Sequence, residues 1–411
     1  MSGKSELLIF NPSLPQVVIK DGAFENFSPT TSLGDQKSTI EFLIHASETD
    51  YLDLNDTVLI VKLKVLGGNG ANNLAATSLC TPVNYFMNAL FSDVTLSLNN
   101  TVVEGGNQMY PYKSTIDCIF NYNSNAKYYQ LTPMGYSEVD DDRKNMIALS
   151  REIELVGKLH LDFFNRPQYL LPGVNVSIKL TRAKDLFALT GGGTCQPLIK
   201  LLSMRLQVRR AQIDMDVRRA HEVGLLKQNA KYSFTRGDVI SYSIAQGSLS
   251  HSKDGLFSGS LVPKFLVVGF VRTSAFNGTG LADSPFKFES FGLSSLGLYR
   301  NGQSVPFRDT YEGIGTNDYV RSILQNTQIM NTNFDNGISL SMFKSNYSLY
   351  TFNLTPDYDA TNCQLPRDGN LRLEVKFSAA LASPINVIVF GTFDSMIEIT
   401  KNRRIICSHV R

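Results

Sequence analysis

The chain has 411 residues, 43% of them hydrophobic and 18% charged, with a net charge of +2. At the usual ~100–200 residues per domain this describes a globular protein of a few domains. It excludes bulk disorder and the strong basic excess of a dedicated nucleic-acid binder. No apolar run approaches the ~18–20 residues that cross a bilayer, and the opening Met1-Ser-Gly-Lys-Ser-Glu6 lacks the layout of a signal peptide. Folding in a reducing compartment, without secretion, is therefore expected. The five cysteines, Cys80, Cys118, Cys195, Cys363 and Cys407, are scattered with no Cys-x-x-Cys pair, which reads as free thiols.

Residues 1–35 read as an N-terminal arm, broken by Pro12, Pro15 and Pro29, with little to bury beyond residues 17–19 and 24–27. From residue 38 strand signals become dense: residues 39–44, 57–65 and 94–98 alternate or carry β-branched side chains, and the glycine- and asparagine-rich residues 67–73 form a turn. Residues 91–98 alternate, turn at Asn99-Asn100, return through residues 101–103 and lead to a helix over residues 112–122, with Ile116, Ile119 and Phe120 at helical spacing. Residues 153–164 and 174–181 read as further strands. Thr190-Gly-Gly-Gly-Thr194 is the best boundary candidate, because three glycines impose little backbone preference and strand patterns resume at Leu198.

The second half repeats the order of the first. Residues 293–299 run into Arg300-Asn301-Gly302, return through residues 303–305 and reach a helix-like stretch at residues 317–325. Residues 171–180 have their counterpart in residues 365–377. Residues 209–227 suit a helix or an extended arm, and residues 231–244, 264–272, 338–354, 371–377 and 385–399 read as strands. Helices are few and never alternate regularly with strands, so a parallel α/β sheet is disfavoured. An all-β chain of two tandem antiparallel sandwiches, a duplication, is expected. The expected division is an arm at 1–35, a first domain at 36–194 and a second at 195–411.

Few residues suggest chemistry. His160 and Asp162 would share one face of a strand, as a metal site requires, but five dispersed histidines supply no further ligands, and an ordinary strand pair is the stronger reading. Asp140-Asp-Asp142 lacks the spacing of a calcium loop and reads as a solvated loop. The glycine pairs and triplets precede no Lys-Ser/Thr, and no Gly-x-Ser-x-Gly elbow occurs. No catalytic residue, cofactor-binding residue or metal ligand is assigned, and no cofactor is expected. A carbohydrate-binding or carbohydrate-cleaving β-sandwich is the alternative, weakened by the complete lack of tryptophan. Basic clusters at Arg205, Arg209, Arg210, Arg218 and Arg219, and at Lys401, Arg403 and Arg404, could face nucleic acid. Interleaved Asp214, Asp216 and Glu222 favour a mixed-charge surface or a subunit interface instead.

In order and spacing, Tyr51-Leu-Asp-Leu-Asn55, Pro82-Val-Asn-Tyr-Phe86, Leu90-Phe-Ser92, Tyr110-Pro-Tyr112, Gly157-Lys-Leu-His160, Tyr169-Leu-Leu-Pro-Gly173 and Ala275-Phe-Asn-Gly278 carry a resemblance to the hexon-like major capsid proteins of Polinton (Maverick) elements and adintoviruses. The resemblance covers most of the chain from about residue 38. It implies a double jelly-roll, two eight-stranded antiparallel jelly rolls with a few short helices. It also implies a non-enzymatic structural protein of the virion that assembles inside the host cell, in cytoplasm or nucleus. Homotrimers would form pseudo-hexameric tiles of an icosahedral shell, because duplication turns a threefold outline into a pseudo-sixfold one. The implied partners are the other copies of the homotrimer, neighbouring capsomer trimers, a single jelly-roll penton protein at the vertices and, weakly, packaged double-stranded DNA; no membrane contact is expected. Residues 67–82, 130–150, 276–286 and 302–316 are the expected tower or intersubunit loops, and the arm and residues 405–411 the segments expected to reach neighbours.

Overall fold

The structure, a computed structural model, describes residues 18–33, 39–75, 78–191, 196–257, 261–306, 310–328, 335–358 and 363–407. Its principal strands fall into two sets of eight. The first set is β1 (Ile19–Phe27), β2 (Thr39–Ile44), β3 (Asp50–Gly67), β4 (Phe91–Leu98), β5 (Thr101–Glu104), β6 (Ile153–Gly157), β7 (Val176–Arg182) and β8 (Leu198–Ile213). The second is β9 (Ala230–Ile244), β10 (Ser250–Asp254), β11 (Phe265–Arg272), β12 (Leu293–Arg300), β13 (Gln303–Ser304), β14 (Leu349–Asn353), β15 (Leu371–Phe377) and β16 (Ile385–Ile399).

In the first set the sheets run β1-β8-β3-β6 and β2-β7-β4-β5; in the second they run β9-β16-β11-β14 and β10-β15-β12-β13. Adding eight to every label of the first roll gives the second. All these pairings are antiparallel. Each half is thus a jelly roll, two sheets of four principal strands closed over one core, one sheet in each gaining a short fifth strand, Asn72–Asn73 beside β3 and Ile405–Cys407 beside β16.

Strand alternation sets the register. Ile40, Phe42 and Ile44 of β2 face Leu180, Ile178 and Val176 of β7, and Val94, Leu96 and Leu98 of β4 meet the same three from the other side. A slip of one residue would turn every one of these side chains to solvent. In contrast, residues 385–391 of β16 and 266–271 of β11 are buried without interruption. These strands are covered on both faces, which is why they read as continuous apolar runs. One apolar cluster extends through both rolls.

The two hairpin turns are built alike. Asn99 and Asn100 have φ of 45° and 66°, and Asn301 and Gly302 have φ of 50° and 85°. Two successive left-handed residues make the turn whose twist matches the flanking strands. Each turn is clasped by a second asparagine. The Asn99 N–H donates to the Asn175 carbonyl (3.0 Å), the Asn175 N–H to Asn99 Oδ1 (2.8 Å), and the Ala46 N–H to Asn175 Oδ1 (2.8 Å). In the second roll Asn301, Asn370 and Gly255 repeat the same three bonds at 3.0, 2.9 and 3.1 Å.

Several expectations are corrected. The expected boundary at 194 falls inside the first roll, because β8 pairs with β3 and β1 and so belongs to the first roll. Residues 192–195 lie outside the described residues; a glycine run signals a loop without specifying which elements it joins. The expected arm at 1–35 contains β1, which pairs with β8 along its length, while residues 1–17 lie outside the described residues. Residues 209–227 are neither all helix nor all arm: β8 ends at Ile213 and a helix spans Met215–Lys227, with the Asp214 carboxylate accepting from Asp216 N. The strand expected over 153–164 stops at Gly157, and that over 338–354 is a helix, Leu340–Ser345, followed by β14.

Candidate functional site: the seam between the rolls

Helix Tyr110–Asn121 carries Pro111 in its first turn, where a missing N–H costs nothing, and lies between the rolls, touching β4, β9 and β16. Its Tyr112 ring stacks on Phe276 (5.6 Å between centroids) and meets Phe286 edge-on (5.9 Å), both from the second roll, and Phe187 (6.0 Å) from the first.

One residue along, Lys113 enters a buried cluster of charge. Its Nζ pairs with Glu104 at the end of β5 and lies 2.8 Å from Asp162 Oδ2. Glu104 also accepts from the backbone N–H groups of Asp162 (2.9 Å) and Phe163 (3.2 Å), and Asp162 accepts from Gly237 N on β9 at 2.7 Å. The last bond crosses from one roll to the other. Gly237 is required here, since a Cβ would lie 2.7 Å from the Phe390 ring. Burial works against the ammonium of Lys113, but Asp162, Glu104 and Asp117 outweigh it and raise its pKa. Burial pushes Asp162 up against the pull of Lys113, and raises Asp117 to about 6. One lysine thus serves three carboxylates.

His160 is 5% exposed, with its Nε2 3.3 Å from Cys118 Sγ. Burial, aided by Lys113, lowers its pKa to about 4, and burial raises that of the Cys118 thiol. A neutral imidazole beside a protonated thiol is a packed pair with no activated nucleophile. His160 and Asp162 do not share a strand face, because β6 has ended before them. Among the described residues no group of three or more metal-ligating side chains converges.

Further bonds close the seam. Glu138 of the first roll accepts from Tyr347 of the second at 2.8 Å, Ser124 N donates to Asp335 at 3.0 Å, and the Tyr232 hydroxyl donates to the Tyr169 carbonyl at 3.1 Å. A cavity of about 560 Å³ lies along the seam, lined by Asp117, Asp162, Arg166, Phe265 and Phe390 among others. Sequence reasoning missed Glu104, Lys113 and Gly237; the one local signal was a lysine within the apolar run of its helix.

The basic clusters are largely neutralised. Arg205 pairs with Glu154 (3.0 Å), Arg209 with Asp53 (3.3 Å), Arg210 with Glu25 and Arg403 with Glu222. Arg219 reaches Asp216 at 3.9 Å on an exposed face. The surface is of mixed charge, but Glu154, Asp53 and Glu25 come from other strands, and of the interleaved acids Asp216 and Glu222 take part in these pairs. Asp140, Asp141 and Asp142 form the first turn of a helix, Asp140–Ile147, rather than a loop, and there they oppose the positive end of its dipole.

No family model matches the chain. It is 23% identical over 378 residues to "Uncharacterized protein F54H12.2" of Caenorhabditis elegans, covering 87% of this chain and 90% of that one. Among solved structures it is similar to PBCV-1 VP54 fitted into a cryo-EM reconstruction of the virophage Sputnik, with TM-score 0.63 and 12% identity over 98% of this chain and 100% of that one. It is similar also to the mavirus major capsid protein, with TM-score 0.58 and 11% identity over 99% and 95% of the two chains. At these identities the likeness concerns architecture, and the fold of this chain is the double jelly-roll of viral capsid proteins.

Proposed function

We propose that this chain is a structural, self-assembling capsid protein without catalytic activity. The observation that carries the reading is the strand-for-strand duplication fixed across a bonded seam. Three copies would set six similar rolls around one axis, and a closed threefold ring of that outline packs on a hexagonal lattice. Homotrimers tiling an icosahedral shell, contacts with neighbouring trimers and a single jelly-roll protein at the vertices belong to this reading, as does residence in the virion. The Polinton and adintovirus lineage remains the proposal of the sequence motifs. Any contact with packaged DNA is weak, since carboxylates hold most of the basic side chains. We place the joint between the rolls in helix Met215–Lys227, the element without a partner in the duplication.

Light scattering with electron microscopy of the purified chain tests this. Particles of three times the 45.6 kDa chain mass, pseudo-hexagonal in outline, or closed shells, are expected. A monomer that retains or cleaves glycans would replace the proposal with the carbohydrate alternative.

A further inference from the structure

The two rolls are alike at the end where the clasped turns lie, and they differ in what covers it. On the first roll, the segment after β16 sits on the clasp. Asn99 Nδ2 donates to the Arg403 carbonyl at 2.8 Å and Arg403 Nε donates to the Pro172 carbonyl at 2.7 Å. On the second roll, the clasp of Asn301 and Asn370 adjoins a cavity of about 250 Å³ with apolar walls from Val262, Val305, Pro306 and Leu354. Its charged lining groups are Arg300 and Arg367, and among the described residues no carboxylate lines it.

Both guanidiniums are held in place by backbone carbonyls. Arg300 Nη2 donates to the Asp368 carbonyl at 2.7 Å, while its Nε has no partner among the described residues. The side chain lies flat over Gly369, where a Cβ would come within 2.7 Å of Nε. Arg367 donates to the Leu354 carbonyl, and its own carbonyl accepts from Val262 N at 2.9 Å. Burial and the neighbouring Arg300 charge lower the pKa of Arg367, with Asp357 acting against them. Asp357 itself is engaged by Gln364 Nε2 at 2.9 and 3.1 Å. Three loops thus converge to hold two like charges in one concavity. Such an arrangement costs free energy unless an anion sits between them, and planar guanidinium forks match the oxygens of a tetrahedral oxyanion.

We propose that this cavity is a phosphate-binding site in which Arg300 and Arg367 together hold one phosphate group, free or at the end of a nucleotide. The site stands independently of the capsid reading. The test uses the full chain and titrates inorganic phosphate and, separately, a nucleoside monophosphate by calorimetry at constant ionic strength. Saturable binding is expected, at least tenfold weaker in Arg300→Gln and in Arg367→Gln, and unchanged in Arg219→Gln, which removes the same charge from an exposed helix. Tighter binding of the nucleotide than of phosphate identifies the phosphomonoester as the fuller ligand; equal binding identifies the phosphate group alone. Should a glutamine variant not fold, arginine modification of the unaltered chain by phenylglyoxal, mapped by mass spectrometry, replaces it. Phosphate should protect Arg300 and Arg367 and leave Arg219 reactive. Absence of saturable binding, equal affinity in the folded variants, or no selective protection overturns the proposal.

Discussion

Lys113 holds a disproportionate share of the seam, because removing it would leave Glu104 and Asp162 buried without a cation. Breaking a buried pair in this way typically costs ~3–5 kcal/mol. Lys113→Met, which keeps the length of the stem, should lower the urea-unfolding free energy by about that much; a loss below ~1 kcal/mol would show that the cluster is solvated. Asp117 makes a prediction of opposite sign. Its folded-state pKa, raised from 3.8 to about 6, means that the folded chain takes up a proton before the unfolded chain does. The stability this contributes is present below pH ~4 and is lost as pH rises through ~6. Asp117→Asn should therefore be neutral relative to the parent at pH ~4 and more stable by up to about 3 kcal/mol above pH ~7. An advantage that shrank with rising pH would refute the assignment. Beyond the lysine in its helix's apolar run, little of this was legible in the chain: Asp162 and Gly237 are far in sequence from Glu104 and Lys113, and buried charge leaves no periodic trace.

Elements were more legible than residues, in proportion to how local their cause is. The two hairpins show in sequence because their turns demand left-handed backbone, which asparagine and glycine supply at least cost. Gly302 isolates that cause. A Cβ there meets nothing within 4 Å, so Gly302→Val would suffer only from its φ of 85°. A stability loss of ~1–2 kcal/mol is expected in chemical denaturation, with Gly302→Asn nearly neutral, as Asn100 is at the same place in the first roll. Equal losses for both would show that packing, not backbone, sets the cost. Residues 338–354 were misread because an apolar run of mixed aromatic and aliphatic residues does not distinguish a buried helix from a strand. Ser339, whose side chain caps the Met342 N–H, was the available sign of the helix. The boundary was expected near residue 194 because a glycine run signals a loop without telling which elements it connects.

At the scale of the molecule, the continuous core and the bonds across the seam predict that the two rolls unfold together. Calorimetry should give one transition whose van't Hoff and calorimetric enthalpies agree for the isolated chain; two resolved peaks would mean that the seam is weaker than its geometry implies. Tandem architecture was readable from the repeated hairpin, whereas the rigid relation between the copies was not, since it rests on contacts made only after folding.

In each roll the final strand, β8 or β16, takes the second place in its sheet, between the first strand and the third. Chain order and spatial order therefore conflict. On the ribosome β1 and β3 are made early but have no shared neighbour until residue 213 has left the exit tunnel, so the first roll stays open for most of its synthesis and shuts in one late step. The second roll repeats that wait until residue 399. Helix Met215–Lys227 separates the two closures in time as well as in space, letting the first roll finish before strands of the same pattern emerge to compete for its places.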